Sequence, residues 1–331
     1  MIDDALSDVL RAVRLKGATF FDVEARDPWV AEAPAAARVA PYIMPGVEHV
    51  IEYHVITEGS CYGGLLDEAP CVLSAGDILV FPQGDAHVLS SAPGMRTEPD
   101  MPLHESLGPK ALPVTIHTGA GERASARLVC GFLGCDVRPF NPLIGHLPRL
   151  LHVRAAGRSD GAAAQFIALA LSEAGALTAG SQCMLSRLSE LMFIDAVRRY
   201  LTELPGDARG FLAGLRDPYV GRALGKLHST PARAFTVEDL AREVGTSRSI
   251  LAERFTELVG TPPMQYLAQW RIHLVAAALA AGAQSLSEIA ADVGYGSEAA
   301  LSRAFKRQLG VAPALWRKGM RPSEANGSAA D

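Results

Sequence analysis

Four side chains in the first third of the chain have the types and spacing of a metal site. Glu52, His54, Glu58 and His87 supply two imidazoles and two carboxylates, a donor set that suits Fe, Mn, Ni or Zn. Glu52 and His54 are two residues apart, so on one strand both side chains face the same way. Glu52, His54 and His87 are therefore candidates for binding a divalent metal or a small-molecule ligand. The alternative is that both histidines are satisfied core residues.

The region around these residues has the pattern of a β-sheet domain. Short apolar runs alternate with Gly, Pro and Asp from about residue 18 to residue 138, as in residues 49–56 and 77–81. This spacing predicts a sandwich or barrel of short strands. Residues 92–127 are rich in Pro, Gly and Ser and are expected to form a long mobile insertion.

Two Ala- and Leu-rich runs, residues 162–175 and 181–204, have the apolar spacing of helices, and the second stops at Pro205-Gly206. They carry more large apolar side chains than solvent-facing linkers need. Part of their surface is expected to cover the barrel, and part to make a symmetric contact with a second copy of the chain. The sequence thus predicts a homodimer whose interface lies between about residues 162 and 204.

The last third of the chain contains an internal repeat. Residues 240–245 (LAREVG) recur 49 residues later as IAADVG, and from Ser247 onward the offset is 50. Each copy has a capping box, a short helix, a glycine turn and a second helix that begins after Ser247 or Ser297. These are the components of a helix-turn-helix, so residues 235–318 are predicted to hold two such units.

The second helix of each copy has an apolar inner face and a polar outer face. A compact helical unit that presents a polar second helix is the geometry that enters a DNA major groove. The residues predicted to contact DNA are Ser247, Arg248, Ser249 and Glu253 in the first copy, and Ser297, Glu298, Ser302, Arg303 and Lys306 in the second. The alternative is an ordinary helical bundle, which two copies in register argue against.

Charge is distributed unequally between the two ends of the chain. Residues 222–322 carry 13 Lys and Arg against 8 Asp and Glu, a net +5, whereas residues 1–221 carry 18 against 26, a net −8. A basic segment beside an acidic remainder indicates an anionic partner for that segment alone. Together with the repeat, this pattern predicts double-stranded DNA as the partner.

The second copy resembles the signature of the AraC/XylS family of transcription regulators. From Ile289 to Arg317 the matching pattern is IAxxVGYxSxxxLxRxFKxxxGxxPxxWR, and the resemblance covers about residues 218–320. It implies that the helices after Ser247 and Ser297 are recognition helices in adjacent major grooves, about 34 Å apart. If the regulator is an activator, RNA polymerase is a further partner.

The N-terminal region resembles the cupin superfamily of β-barrels. Residues 76–87 match the pattern G-x5-P-x-G-x2-H of the second cupin metal motif. Residues 46–58 match the first motif as G-x5-E-x-H-x3-E, with Glu where the superfamily usually has a histidine. The resemblance implies a sensor barrel for a small molecule, a metal or an oxidant. A divalent metal in the barrel is one cofactor it allows, although many regulators of this type have lost the metal.

The same region is also similar to the sensor domain of regulators that respond to reactive chlorine species, with the match at Val129-Cys130-Gly131. The resemblance implies a redox role for Cys130, with Cys135 as a second candidate. The upstream cysteine that those regulators use is missing near Val23. The five cysteines follow no closely paired zinc pattern and are otherwise expected to be free thiols that pack as small apolar residues.

These features predict an α+β multidomain chain. The expected parts are a cupin-like sensor barrel (1–150), a helical linker and dimerisation region (151–217), an all-α domain with two helix-turn-helix units (218–322) and a disordered tail (323–331). The predicted function is sequence-specific DNA binding in transcription regulation, and no enzymatic activity is expected. The alternative is a cupin metalloenzyme with a helical C-terminal tail, which would leave the repeat unexplained.

The start of the chain also bears on where the protein acts. Met1-Ile2-Asp3-Asp4 is acidic where a secretory signal is basic, and no apolar run reaches the ~18 residues that span a bilayer. A cytoplasmic protein without a membrane partner is therefore expected.

Overall fold

The computed structural model describes residues 4–13, 15–47, 49–107, 114–135, 141–155, 165–166, 168–170, 172–173 and 179–319. The chain divides into two compact units. The barrel unit consists of Val13–Asp136 and Leu147–Leu204, and the helical unit consists of Met1–Ala12, Val137–His146 and Pro205–Asp331. The helical unit thus includes all but the last residue of the N-terminal helix α1 (Ala5–Val13), which the sequence placed with the barrel.

The described part of the barrel unit contains a nine-stranded sheet. Its strands are β1 (Lys16–Arg26), β2 (Val30–Ala33), β3 (His49–Leu65), β4 (Cys71–Ser74), β5 (Ile78–Phe81), β6 (His87–Ser90), β7 (Val114–Thr118), β8 (Ala124–Cys135) and β9 (Leu151–Val153). The strand order is β2-β6-β3-β8-β1-β7, with β4 and β5 also on β3 and β9 on β5.

The long strand β3 makes the sheet curl. Its first half pairs antiparallel with β5 and β8, and its second half pairs with β4 and β6. Because side chains alternate along a strand, Glu52 and His54 face one side of the sheet and Tyr53 faces the other. Of the predicted sandwich or barrel of short strands, the barrel is confirmed, whereas β3 with 17 residues and β8 with 12 are longer than expected. β3 positions the polar residues of the barrel interior.

The expected long insertion at residues 92–127 is wrong in part. This segment contains α3 (Met101–Leu107), the strand β7 and the beginning of β8. β7 pairs in parallel with β1, from Phe21 opposite Val114 to Ala25 opposite Thr118. The β-branched residues of β7 were a strand signal, but the prolines and glycines that flank them dominated the composition.

The remaining helices of the barrel unit are α2 (Ala36–Ile43) and α4 (Ser181–Glu203). α4 confirms the second predicted helix and packs against β1, β8 and β9. Of the first predicted helix, residues 165–166, 168–170 and 172–173 are helical, and the rest lies outside the described residues. Within the described ranges, none of the helices combines the length and the hydropathy that a membrane span requires.

The helical unit also contains a 3₁₀ turn at Ile144–His146 and the helices that follow the barrel unit along the chain. These helices are α5 (Phe211–Arg216), α6 (Val220–Ser229), α7 (Val237–Val244), α8 (Arg248–Val259), α9 (Pro263–Ala281), α10 (Leu286–Asp292), α11 (Glu298–Leu309) and α12 (Pro313–Arg317). The pairs α7–α8 and α10–α11 are the two predicted helix-turn-helix units, and α9 connects them.

Glycine supplies the turn in each pair. Gly245 and Gly294 have φ of 81° and 80°, values that favour glycine. A Cβ on Gly294 would also stand 2.3 Å from the carbonyl oxygen of Ala232, so no larger residue fits there. The positive φ therefore explains why both turns use glycine, and the lack of space for a Cβ is a further reason at Gly294.

Helix α5 lies before the predicted start of the DNA-binding domain at residue 218. It packs against α6 and α8, and its Phe211 is fully buried within the helical unit. The structure groups α5 with the helical unit and groups β9 and α4 with the barrel unit, so the stretch 151–217 is shared between the two. The predicted tail at 323–331 lies outside the described residues.

Candidate nucleic-acid interface and barrel cavity

The second helices of the two units, α8 and α11, are built alike. The Ser247 hydroxyl accepts a hydrogen bond from the Ile250 N–H at 3.3 Å, and the Ser297 hydroxyl accepts one from the Ala300 N–H at 3.1 Å. Both helices have 12 residues and end at a glycine in the left-handed conformation. The two copies are therefore in register at an offset of 50 along the whole helix.

The cores under these helices are equivalent as well. Leu251 and Phe255 on the inner face of α8, and Leu301 and Phe305 on the inner face of α11, are completely buried. A fully packed inner face holds each helix in one orientation, which a groove-reading helix requires. The outer faces are not part of these cores, so their side chains can contact a partner.

Most residues predicted to contact DNA lie on these outer faces. Ser247 and Ser297 are exposed N-caps, Ser302 is half-buried, and the remaining ones are exposed: Arg248, Ser249, Glu253, Glu298, Arg303 and Lys306. Among described residues, Arg303 and Lys306 make no ion pair. Their positive charges are thus available to an anionic partner.

Three neighbours of these residues escaped the sequence reading. Ile250 on α8 is 51 % exposed although it is a large apolar residue, and Arg307 adds a further exposed cation to α11. Arg254 is exposed but forms an ion pair with the buried Asp217, so its role is to anchor α8. The sequence did contain a signal for Ile250. It aligns with the small residue Ala300 in the second copy, so the shared core of the repeat does not require a large apolar residue at this position.

The barrel unit contains a cavity of about 580 Å³ that opens to the surface. Its walls are mainly apolar and aromatic: Phe21, Val23, Trp29, Leu89, Ile116, Leu128 and Phe132. Residues of α3 and of the preceding segment line another side, including Glu98, Asp100 and His104. A volume and lining of this kind are typical of small-molecule sites. Sequence reasoning missed the part of the wall supplied by α3, because it had assigned that segment to an insertion.

Glu52, His54 and His87 meet in this cavity. Their ligand atoms all lie within 4.8 Å of one another, and all three side chains are buried. The His87 Nδ1–H donates to the Asp85 carbonyl at 2.8 Å, so its Nε2 is unprotonated and accepts a hydrogen bond from His54 Nε2–H at 2.6 Å. The nearest oxygen of Glu52 is 3.8 Å from His87 Nε2, too far for a hydrogen bond.

This arrangement leaves polar atoms without partners. Within the described part of the chain, Glu52 Oε1 and His54 Nδ1 are buried and make no hydrogen bond, and the same holds for the indole N–H of Trp29. Burial raises the pKa of Glu52 well above its ordinary value. Burial and the neighbouring His87 lower the pKa of His54, and burial lowers the pKa of His87 to about 4. Unsatisfied polar groups at the wall of a cavity are a signature of a binding site.

Glu58, the fourth predicted ligand, lies outside this cluster. It is exposed, and a register shift between Ile56 and Glu58 interrupts the alternation of β3. Four residues of strand also separate Glu58 from His54 by about 13 Å. The spacing in the sequence agreed with the motif, but the bulge could not be read from it.

The two candidate redox cysteines are far apart. Cys130 and Cys135 lie five residues apart on β8, which separates their Cα atoms by roughly 16 Å, whereas a disulfide requires less than about 7 Å. Cys130 borders the cavity, and burial raises its pKa, which disfavours the reactive thiolate. Cys135 is buried. A disulfide between them is incompatible with this strand.

Comparison with known proteins identifies the family. The Cupin family matches residues 4–202, and a helix-turn-helix domain family matches residues 240–319. An AraC-like transcription regulator of Streptomyces antibioticus is 33 % identical over 325 residues, which cover 95 % of this chain and 98 % of that protein. This chain belongs to the AraC-like transcription regulators. It is therefore a DNA-binding regulator and not an enzyme, and the metalloenzyme alternative is wrong.

Two further similarities concern parts of this AraC-like regulator. A second AraC-like regulator, from Streptomyces lividans, is 40 % identical over 203 residues, which cover 60 % of this chain and 66 % of that protein. The solved DNA-binding domain of AdpA in complex with a target DNA is 32 % identical and covers 34 % of this chain and 99 % of that chain, with a TM-score of 0.30. The predicted fold class, a cupin-like barrel followed by a helical domain with two helix-turn-helix units, is confirmed.

Proposed function

We propose that α8 and α11 are the recognition helices of this regulator and that each enters a major groove in one half of its operator. The observation that supports this proposal is that the two helices are built alike, with matched serine caps, matched glycine ends and fully buried inner faces. The exposed side chains of these helices then contact the operator, and those on α11 include the cations Arg303, Lys306 and Arg307. This arrangement supports sequence-specific regulation of transcription.

Salt dependence tests this proposal with the full-length protein. Binding to duplexes from the intergenic region beside its own gene, measured by fluorescence anisotropy, should weaken steeply between 50 and 200 mM salt because phosphate contacts release counterions; six to ten such contacts give a loss on the order of 10³-fold or more. Folded protein that binds none of these duplexes at 50 mM salt contradicts the proposal.

The cavity is the effector site that the geometry supports best. No Lys or Arg is present among its described lining residues, whereas Glu32, Glu52, Glu98 and Asp100 are. Because burial lowers the pKa values of His54 and His87, these two imidazoles offer an anionic effector no positive charge, and the carboxylates of Glu98 and Asp100 would repel it. The proposed effector is therefore a small, largely apolar molecule that is uncharged or cationic and donates a hydrogen bond to Glu52.

Matched probes test this class. Hexylamine, hexanol and hexanoate share a chain length and differ in the head group. Because Trp29 borders the cavity, binding of the first two should change its fluorescence, and Trp29→Phe should abolish that signal. Hexanoate that binds as tightly as hexylamine contradicts the proposed effector class.

A divalent metal is the second candidate occupant of the cavity. Two imidazoles and a carboxylate converge in it, and the His87 Nδ1–H is already held by a carbonyl, which is the usual support of a metal-bound histidine. The unpartnered Glu52 Oε1 and His54 Nδ1 show that the cluster is not satisfied by protein alone. Glu52, His54 and His87 would hold the ion, which would act as a signal or as an anchor for the effector.

Metal content decides between the two occupants. Protein purified without chelator should carry about one equivalent of metal if the second candidate is correct, and His54→Ala with His87→Ala should remove it. His104→Ala is the matched control, since His104 borders the same cavity outside the cluster. Metal-free wild-type protein that still responds to its inducer removes the metal from the mechanism.

The regulator is proposed to act as a homodimer through the exposed side of α4. Leu185, Leu188 and Phe193 of this helix are buried in the barrel unit, whereas Met184 and Leu191 are 45 % and 43 % exposed. Met184, Arg187, Leu191, Ile194 and Arg198 follow one another at alternating spacings of three and four, the spacing of a coiled-coil seam. A second copy of the same helix would cover this stripe symmetrically.

Leu191→Glu should therefore convert a dimer into a folded monomer in analytical ultracentrifugation. Val72→Glu is the matched control, because Val72 is 61 % exposed on β4 and lies outside the stripe. A Leu191→Glu protein that stays dimeric places the interface elsewhere. Leu188 is unsuitable for this test, since a charge there would disrupt packing on the barrel.

Strand β3 offers a route from the cavity to the dimerisation helix. Glu52 and His54 border the cavity, and between them Tyr53 points to the other side, where its hydroxyl is 2.7 Å from the Ser189 hydroxyl of α4. A shift of β3 on effector binding would thus be felt at α4, which is followed in the chain by the helical unit. Tyr53→Phe should leave effector binding intact and reduce its effect on DNA affinity.

We propose that the sensor barrel and the dimerisation helix form one functional domain ending near Leu204, and that the DNA-binding domain extends from Pro205 to about residue 322. The packing of α5 on α6 and α8 supports the earlier start. A fragment 205–322 should be more resistant to urea than a fragment 218–322, which lacks Phe211.

A further inference from the structure

The two recognition helices carry opposite charges at three equivalent positions, and the pair in the middle of the helices is Glu253 and Arg303; the other two pairs are Arg248/Glu298 and Glu257/Arg307. Glu253 is the sixth residue of α8, and Arg303 is the sixth residue of α11. The helices start at equivalent serine caps and end at equivalent glycines, so these two side chains stand at the same point of the same scaffold. Both are exposed.

Helix geometry directs both side chains outward. Glu253 lies two residues from each of the buried Leu251 and Phe255, which is about 200° around the helix from either one. Arg303 has the same relation to Leu301 and Phe305. If α8 and α11 occupy major grooves, both side chains therefore face the DNA.

Glu253 differs from Arg254 and Glu257, the two charged residues that follow it on α8. Arg254 is paired with Asp217, and Glu257 is 3.3 Å from Arg209. For Glu253, no ion pair or hydrogen bond is found among the described residues. Its carboxylate is thus not part of the scaffold, and near the phosphate backbone it would be repelled unless it met a hydrogen-bond donor.

The major groove offers such donors on only some bases. Cytosine presents its N4 amino group, and adenine its N6 amino group, whereas guanine presents the two acceptors N7 and O6. A carboxylate accepts from cytosine N4, and a guanidinium donates to both acceptors of guanine. The same point of the scaffold thus favours a donor base in one groove and an acceptor base in the other.

We propose that Glu253 and Arg303 make the operator asymmetric, with cytosine at the Glu253 position of one half-site and guanine at the matching position of the other. The two positions lie about 10 base pairs apart, one helical turn. This inference rests on the proposed role of α8 and α11 as recognition helices. It makes Glu253 a specificity-determining residue that selects a base and fixes which half-site receives the first unit.

Selection from randomised duplexes tests the inference with the full-length protein. The wild type should enrich a two-part sequence with cytosine in one part and guanine one turn away. Glu253→Gln should change the cytosine to adenine, because glutamine pairs with adenine N6 and N7, and should leave the guanine unchanged. Glu253→Arg should change the cytosine to guanine. On the wild-type sequence, each variant should bind about tenfold more weakly than the wild type.

Glu257→Gln is the matched control, since it removes the same charge from the same helix at a residue that is already paired. It should leave the enriched sequence unchanged. An unchanged sequence for Glu253→Gln, with uniformly tighter binding, overturns the inference and leaves the recognition helices in place. A wild-type protein that enriches no sequence at all overturns the proposed function itself.

Discussion

The two units of the regulator differ in where their candidate functional residues lie, at the surface in one unit and in the interior in the other. In the helical unit the candidate residues stand in solvent on helices whose inner faces are fully buried. In the barrel unit they are buried in a cavity, where Glu52 and His54 retain polar atoms without partners. A surface site can be altered with little effect on the fold. A buried polar site lowers the stability of the fold that contains it.

Removing the core beneath a recognition helix should have the largest effect. Phe305→Ala is expected to destabilise the helical unit by about 3–5 kcal/mol, because a fully buried aromatic side chain is replaced by a cavity. Urea unfolding of the full-length protein should then show two separate transitions, with that of the barrel unit unchanged. Lys306→Ala, an adjacent surface substitution, should change stability by no more than about 0.5 kcal/mol. A single transition that shifts as a whole would show that the units do not unfold separately.

Substitutions in the surface site should change the affinity for DNA and leave the stability of the fold nearly unchanged. Arg303→Ala is expected to weaken binding to a selected operator by about 1–3 kcal/mol, since a bidentate contact to guanine is lost. Lys306→Ala should weaken binding less and to the same degree on all sequences, as expected for a phosphate contact. Competition titrations with specific and random duplexes measure both. Equal losses on both duplexes for Arg303→Ala would show that it reads no base.

A substitution in the buried site should instead change the stability of the fold. Glu52→Met is expected to stabilise the metal-free protein by roughly 1–2 kcal/mol, because it removes a buried carboxyl group with an unpartnered oxygen. The same variant should lose its response to hexylamine. Thermal unfolding and Trp29 fluorescence measure the two effects. If Glu52→Met destabilises the protein, Glu52 is a structural residue and the contrast between the units fails.

Acid should affect the helical unit through a buried histidine. Burial lowers the pKa of His228 to about 3, and its Nε2 is 2.8 Å from the Tyr266 hydroxyl. The unfolded chain takes up this proton near pH 6.5 and the folded chain only near pH 3, so the contribution is intact above pH 6.5 and is lost as the pH falls. At pH 5.5 the loss is about 1 kcal/mol relative to pH 7.5. His228→Gln should reduce this difference in urea unfolding, and an unchanged pH dependence would exclude His228 as its source.

The helical unit could be read from the sequence because its signals are local and occur twice. Ser247 and Ser297 cap helices, Gly294 has the positive φ of a tight turn, and Leu301 and Phe305 lie at helical spacing. Each feature depends on residues within one turn of helix or one loop. The opposite charges at Glu253 and Arg303 were also visible in the repeat, and the equal helix ends confirm that the two positions correspond.

The barrel unit could be read only in part because its site is assembled across the sheet. The pairing of β3 with β5 and β6 brings Glu52 and His54 to His87, and the motif spacing indicated this. The bulge that excludes Glu58 depends on the partner strand β8, and the wall supplied by α3 depends on tertiary packing. Both are outcomes of long-range contacts that no local pattern encodes.

Methylation protection of an operator by the full-length protein tests the central claim most directly, that the duplicated helix pairs read two adjacent grooves. Because methylation occurs at guanine N7 in the major groove, the account predicts two protected clusters about 10 base pairs apart on one face of the duplex. Arg303→Ala should remove protection from one cluster only. Protection confined to a single groove, or loss of both clusters in Arg303→Ala, would contradict it.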